Sequence, residues 1–194
     1  DRFESRGLGD VYKRQMKFVM PARQRIGKKT IFNLLGPHTN PCNAKRQILG
    51  VYDKGLLKTF GNVSNLLKMH HVLVVHGNDG LDEISITDKT FVTELKDGNL
   101  NQFEIQPEDF GLSRANITAL KAETPEESLE LINAAFEGKE SPVQDMISLN
   151  AGASLYLSSA SSSIKEGVSL AKELLNNGKA KQTFSSYIEM TNSL

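Results

Sequence analysis

The sequence is poor in cysteine, with a single thiol, Cys42, among 194 residues. A disulfide within the chain is therefore impossible, and we expect a reducing compartment, which we take to be the cytoplasm. We interpret Cys42 as a packed small residue, because no mechanism suggested by the sequence needs a thiol nucleophile. We predict no nucleophilic or other covalent catalytic residue.

Long apolar runs and an excess of one charge are also missing. No run approaches the roughly 20 residues of a membrane span, and the first residues lack the apolar core of a signal peptide. Lysine plus arginine and aspartate plus glutamate are balanced at 23 each. The composition thus gives no electrostatic reason to expect nucleic acid or an anionic membrane as a partner.

The first fifteen residues show no sustained helical or strand periodicity. They fit a disordered tail. Alternatively, residues 10–15 (DVYKRQ) are similar to a translated sequencing adapter, which would make the tail non-native. We predict a non-native tail over 1–15 and a single, partial α/β domain over 16–194.

Two apolar segments predict buried strands. Residues 47–52 (QILGVY) form the first, and a helix should follow it, capped by Asp53. Residues 72–75 (VLVV) form the second, and such continuous runs are typical of strands in a parallel sheet covered by helices on both faces. The residues predicted to line one face of the intervening helix are Leu56, Phe60, Val63 and Leu67.

The rest of the chain predicts a hairpin and then helices. Strands over 90–95 and 102–105 should be antiparallel, joined by a turn at Asp97-Gly98. Three capping boxes begin helices, at Thr124, Ser141 and Ser163. Residues 146–157 are apolar or small nearly all round, which predicts a central buried helix.

An acidic loop follows the second buried strand, where ligands bind in open α/β sheets. Asp79, Asp82 and Glu83 lie close together there and could converge on Mg²⁺, which is commonly held by one or two carboxylates, waters and substrate phosphates. Acidic loop residues can equally be merely solvated. His76, at the end of the strand, could be a ligand or an acid, but a hydrogen-bonded structural role is our default.

Three strings occur in order along the chain and together resemble the anthranilate phosphoribosyltransferase family. They are 23–41 (RQRIGKKTIFNLLGPHTNP), 74–87 (VVHGNDGLDEISIT) and 145–156 (DMISLNAGASLY). The similarity runs from about residue 16 to the end of the chain. A chance match of all three strings in order is not credible.

The resemblance implies a reaction of anthranilate with phosphoribosyl pyrophosphate, in a homodimer that uses Mg²⁺. Carried over by position, Arg23 matches the arginine that contacts the anthranilate carboxylate, and Pro37 lines the anthranilate channel. Asp82 and Glu83 match the pair that holds the metal on the pyrophosphate. The implied fold is an incomplete α/β domain of the nucleoside phosphorylase and phosphoribosyltransferase type, with a central mostly parallel sheet, flanking helices and no small helical domain.

The sequence also departs from the family pattern. The glycine-rich GTGGD loop and the KHGN segment, which precede Arg23 in the family, are absent. His38 replaces a usual leucine, and Ser128 replaces a usual asparagine. We therefore expect little or no activity from this chain. Two alternatives remain on the same fold. One is a pyrimidine nucleoside phosphorylase, against which Asp82, Glu83 and Arg23 argue. The other is a non-enzymatic, nucleic-acid-binding relative, against which the zero net charge argues.

Overall fold

A computed structural model describes residues 18–22, 24–28, 35–39 and 43–193 of the chain, with Pro37 described by its backbone alone. It divides into two compact units, residues 1–45 and 46–194, which are considered separately. The first unit contains helical backbone at 18–22 and 24–26 and a short 3-10 helix at Gly36–Thr39. Burial lowers the pKa of the His38 imidazole in that helix.

The second unit is built on a four-stranded sheet whose strand order follows the sequence. The strands are β1 (Arg46–Gly50), β2 (His71–Gly77), β3 (Thr90–Lys96) and β4 (Asn99–Ile105). Only β1 and β2 are parallel, whereas β2–β3 and β3–β4 are antiparallel. The expectation of a mostly parallel sheet is therefore wrong for the described residues. Parallel strands need a long crossover, and a helix provides it between β1 and β2. Antiparallel strands need no such crossover, and here a loop joins β2 to β3 and a two-residue turn joins β3 to β4.

Five helices accompany the sheet. They are α1 (Leu57–Leu66), α2 (Pro125–Phe136), α3 (Pro142–Leu157), α4 (Ile164–Asn176) and α5 (Lys179–Asn192). The N-cap half of the three predicted capping boxes is confirmed, because the hydroxyls of Thr124, Ser141 and Ser163 each accept a hydrogen bond from the amide three residues on. The reciprocal half differs, since Glu127 and Glu166 accept from the amides of Glu123 and Ser162, one residue before the N-cap. In the part of the chain that the structure describes, no helix is both long and apolar enough to cross a bilayer.

The sheet lies between two helical layers, which confirms the α/β class. On β2, Leu73 and Val75 belong to the core cluster that contains buried residues of α3 and α4. The alternate side chains, Val72 and Val74, are also fully buried and face the other way. On that side Gly61 of α1 lies against the sheet, where an added Cβ would stand 2.8 Å from Cγ2 of Thr93.

The buried face of α1 differs from the predicted one. The buried residues are Leu57, Phe60, Gly61 and Ser64, whereas Leu67 is 45% exposed. Leu56 ends a separate 3-10 helix, Lys54–Leu56, which Asp53 caps as predicted. The 3-10 helix occupies residues 54–56, so α1 starts three residues later than a helix capped directly by Asp53 would.

Helices α3 and α4 cross with their backbones almost in contact. A Cβ added to Gly152 would stand 2.4 Å from the amide nitrogen of Val168, and one added to Gly167 would stand 2.2 Å from the carbonyl oxygen of Gly152. Only glycine leaves room for this approach. The crossing fixes α3, the helix that reaches the acidic loop, against α4.

Candidate metal site

The acidic loop connects β2 to β3 at the carboxyl end of β2. It turns immediately after the strand, because the amide of Gly80 donates to the carbonyl of Gly77 (2.9 Å) and the amide of Gly77 donates to that of Leu81 (2.7 Å). Gly80 has φ of +93°, a conformation that favours glycine. The tight turn directs the next residues, Asp82 and Glu83, back across the edge of the sheet towards the end of β1.

Asp79 is the internal anchor of the loop. Its carboxylate accepts hydrogen bonds from the hydroxyls of Ser85 (2.5 Å) and Thr87 and from the amide of Leu81 (3.1 Å). Partial burial raises the pKa of Asp79, but these hydrogen bonds outweigh it, and the pKa lies below its ordinary value. Asp79 thus stays ionised and engaged within the loop, so we do not assign it as a metal ligand.

Asp82 and Glu83 are the free carboxylates of the loop. Both side chains are exposed, and neither makes a hydrogen bond or an ion pair with any residue that the structure describes. Oxygen donors of this kind suit Mg²⁺, which retains waters and takes further ligands from a substrate's phosphates. Within the described residues no group of three or more metal-ligating side chains exists.

The Asp82 backbone packs directly against the end of β1. A Cβ added to Gly50 would stand 1.7 Å from the carbonyl oxygen of Asp82 and 2.7 Å from its carbonyl carbon. The last residue of β1 must therefore be glycine for the loop to occupy this position. Sequence reasoning did not assign any role to Gly50, since its partner is more than thirty residues away.

Asn150 of α3 anchors the loop from outside. Its side-chain amide donates to the carbonyl of Ile84 (2.9 Å), and its side-chain oxygen accepts from the Ile84 amide (3.1 Å). The same amide nitrogen also donates to the carbonyl of Met146 on its own helix (3.1 Å). The residue directly after Glu83 is thereby fixed through both of its backbone polar groups.

His76 has the structural role taken as the default. Its Nδ1 lies 2.8 Å from the carbonyl of Val51, which can only accept, so Nδ1 carries the proton. The amide of Val51 in turn donates to the carbonyl of Val75 (3.0 Å). The histidine thus joins the ends of β1 and β2.

The residues predicted to contact anthranilate are not placed by the structure. Arg23 lies outside the described residues, and nothing is described of the Pro37 side chain. Their roles remain predictions, as does the non-native character of residues 1–15, which also lie outside the described residues.

Comparison with known families gives a match over most of the chain. Residues 8–181 match the family described as "Glycosyl transferase family, a/b domain". The anthranilate phosphoribosyltransferase of Hydrogenovibrio crunogenus is 42% identical over 194 residues, covering 98% of this chain and 57% of that protein. That of Methanobrevibacter smithii is 43% identical over 182 residues, covering 94% of this chain and 54% of that protein. The chain thus spans about half the length of these relatives.

Solved structures agree with the sequence comparison. Anthranilate phosphoribosyltransferase from Thermus thermophilus superposes with a TM-score of 0.82 at 37% identity, covering 90% of this chain and 51% of that one. The Saccharomyces cerevisiae enzyme in complex with PRPP and Mg superposes with a TM-score of 0.82 at 30% identity, covering 92% and 52%. The chain therefore belongs to the glycosyl transferase family that is defined by this a/b domain, and the relatives it matches are anthranilate phosphoribosyltransferases.

Proposed function

We propose that the protein to which this chain belongs transfers the phosphoribosyl group of phosphoribosyl pyrophosphate to anthranilate and releases pyrophosphate, in tryptophan biosynthesis. The observation that carries the proposal is the pair Asp82 and Glu83, two adjacent unpartnered carboxylates on a loop that is anchored at the edge of the sheet. The yeast relative was solved with PRPP and Mg, and also with 4-fluoroanthranilate. We extend these ligands to this protein, together with a homodimer and the cytoplasm as its location.

The proposed reaction needs little from the protein beyond binding the two substrates and stabilising the negative charge of the departing pyrophosphate. The bond from the ribose C1 to pyrophosphate breaks, the anthranilate nitrogen bonds to C1, and that nitrogen gives up a proton. Bound Mg²⁺ supplies positive charge to the departing pyrophosphate. Asp82 and Glu83 would hold the metal, and no nucleophilic side chain is required. In this proposal Arg23 orients the anthranilate carboxylate and Pro37 lines its channel.

The metal half of the proposal is tested by titrating the 194-residue chain with Mn²⁺ at low ionic strength, followed by electron paramagnetic resonance. Asp82→Asn and Glu83→Gln each remove one unit of charge while nearly preserving shape. At about 4 Å in water, a carboxylate and a divalent ion attract by about 2 kcal/mol, so each change should raise Kd roughly thirtyfold. Mg²⁺ should displace the bound Mn²⁺.

Asp97→Asn is the matched control. Asp97 lies in the β3–β4 turn, at the opposite end of the strands, with φ of +48°, a conformation that asparagine tolerates. This variant should bind Mn²⁺ as tightly as the unaltered chain. If Asp82→Asn and Glu83→Gln bind no more weakly than Asp97→Asn, the assignment of the metal site is wrong.

A further inference from the structure

We propose that Asn150 is a positioning residue for metal binding: its side chain keeps the backbone after Glu83 in the one arrangement that presents Asp82 and Glu83 together. The inference rests on the proposed function, because it concerns the same metal site. It extends that function to a residue in the third string, 145–156, which otherwise has no role. Asn150 does not contact the carboxylates themselves.

The geometry favours this role over simple packing. A carboxamide that both donates to and accepts from one residue imitates the pairing of a neighbouring strand, and it fixes the peptide plane on each side of Ile84. Both bonds have good length, at 2.9 and 3.1 Å. The amides of Asp82 and Glu83 donate to no backbone carbonyl that the structure describes. The two hydrogen bonds between Asn150 and Ile84, called the clamp below, are therefore the first that the backbone makes after Leu81.

The clamp joins the loop to a rigid element. Asn150 is half-buried and lies two residues before Gly152, where α3 meets α4 at backbone contact distance. Asp79 anchors the start of the loop, and Asn150 anchors it after Glu83. Asp82 and Glu83 lie between these anchors, so that the backbone carrying the two carboxylates is held in place before a metal arrives.

The experiment compares Mn²⁺ affinity in two variants of the 194-residue chain. Asn150→Ala removes the clamp, and Asn150→Leu removes it while keeping the branching and the number of heavy atoms of the side chain. Both should raise Kd about tenfold, the lower end of the loss that follows when groups supporting metal ligands are removed. Affinity is measured well below the unfolding temperature of each variant, so that only folded protein is compared.

Gln144→Ala is the matched control on the same helix. Gln144 is buried, and its side-chain amide donates to Asn176 of α4 (3.0 Å) and not to any residue of the acidic loop. This change should lower stability without altering Kd for Mn²⁺. A loss of affinity in Gln144→Ala as large as that in the Asn150 variants would show a general effect of helix stability and would overturn the proposal.

A second measurement needs no substitution and covers the case in which the variants do not fold. If the clamp strengthens metal binding, the metal must strengthen the clamp by the same factor. Saturating Mg²⁺ should therefore slow hydrogen exchange at the Ile84 amide about tenfold. It should leave unchanged the Asp97 amide, which donates to the His70 carbonyl (3.0 Å) at the other end of the strands. Equal exchange at Ile84 with and without metal would overturn the inference.

The outcomes distinguish a failure of the Asn150 inference from a failure of the proposed metal site. If Asp82→Asn weakens binding but both Asn150 variants bind as the unaltered chain does, Asn150 has no positioning role and the metal site stands. If Asp82→Asn and Glu83→Gln have no effect, the proposed metal site fails and the inference fails with it.

Discussion

Replacing Gly50 with alanine would place a methyl group where the Asp82 carbonyl now lies. The added Cβ would be 1.7 Å from the carbonyl oxygen, whereas ordinary contact begins roughly 1.5–2 Å further out. Neither Gly50 nor the acidic loop can move easily to relieve this overlap. Gly50 is held in parallel register with Val75, and the loop is held by the Asp79 and Asn150 hydrogen bonds.

The expected cost is about 3 kcal/mol, at the upper end for overpacking, because the obstacle is backbone and not the end of a flexible side chain. With a urea dependence of about 2 kcal/mol per molar, the unfolding midpoint should fall by about 1.5 M. Unfolding is followed by far-ultraviolet circular dichroism, because the chain has no tryptophan. Displacement of the loop should also weaken Mn²⁺ binding in the folded variant.

Gly55→Ala is the comparison for this measurement. The nearest atom to its added Cβ is Oδ1 of Asp53 at 3.2 Å, the far end of an exposed side chain that already accepts from the Gly55 amide (2.7 Å). That geometry is common in capped helices whose second residue carries a Cβ. The argument for close packing would be refuted if Gly50→Ala were within 0.5 kcal/mol (roughly the scatter of surface substitutions) of Gly55→Ala and bound Mn²⁺ equally well.

Two further predictions concern the loop and the reaction. The pKa of Asp79 is lowered in the folded chain, so the stability that its carboxylate contributes is complete above its unfolded pKa of about 4 and is lost as pH falls through the lower folded value. In urea titrations below pH 4, the difference in unfolding free energy between the unaltered chain and Asp79→Asn should therefore shrink. A constant difference would contradict the assignment of Asp79 as an ionised anchor. The 194-residue chain alone should consume little anthranilate in a fluorescence assay with phosphoribosyl pyrophosphate and Mg²⁺, because it spans about half the length of the relatives it matches; rapid loss of anthranilate fluorescence would refute this expectation.

Features decided by neighbouring residues were predictable from the sequence. The apolar run at 72–75 lies in a strand that is buried on both faces, and Asp97-Gly98 forms a two-residue turn with positive φ at both positions. The helix caps were correct for the same reason, since each requires only an oxygen and an amide three residues apart. The position of Asp82 and Glu83 in the loop after this strand was also predicted, whereas their role as metal ligands stays a prediction.

Features decided by distant residues were missed. Asn150 meets Ile84 across 66 residues of sequence, and no local pattern marks either one as a partner. Asp79 was grouped with Asp82 and Glu83 because all three are acidic and close in sequence. The structure separates them, since the hydroxyls of Ser85 and Thr87 occupy Asp79 and leave the other two free. The antiparallel pairing of β3 with β4 was predicted from the turn at Asp97-Gly98 and is confirmed. The antiparallel pairing of β2 with β3 was missed, because burial on both faces does not report strand direction.

The close crossing of α3 and α4 has a consequence for how this sequence can vary over evolution. A side chain at Gly167 would push against the carbonyl of Gly152, half a turn from Asn150, whose side chain is hydrogen-bonded to the acidic loop. Position 167 does not contact the acidic loop, yet a larger residue there would move α3 and, with it, the Asn150 side chain that holds Ile84. Natural variants should therefore keep positions 152 and 167 small wherever position 150 is asparagine, and a substitution at one should be tolerated only with a compensating change at the other.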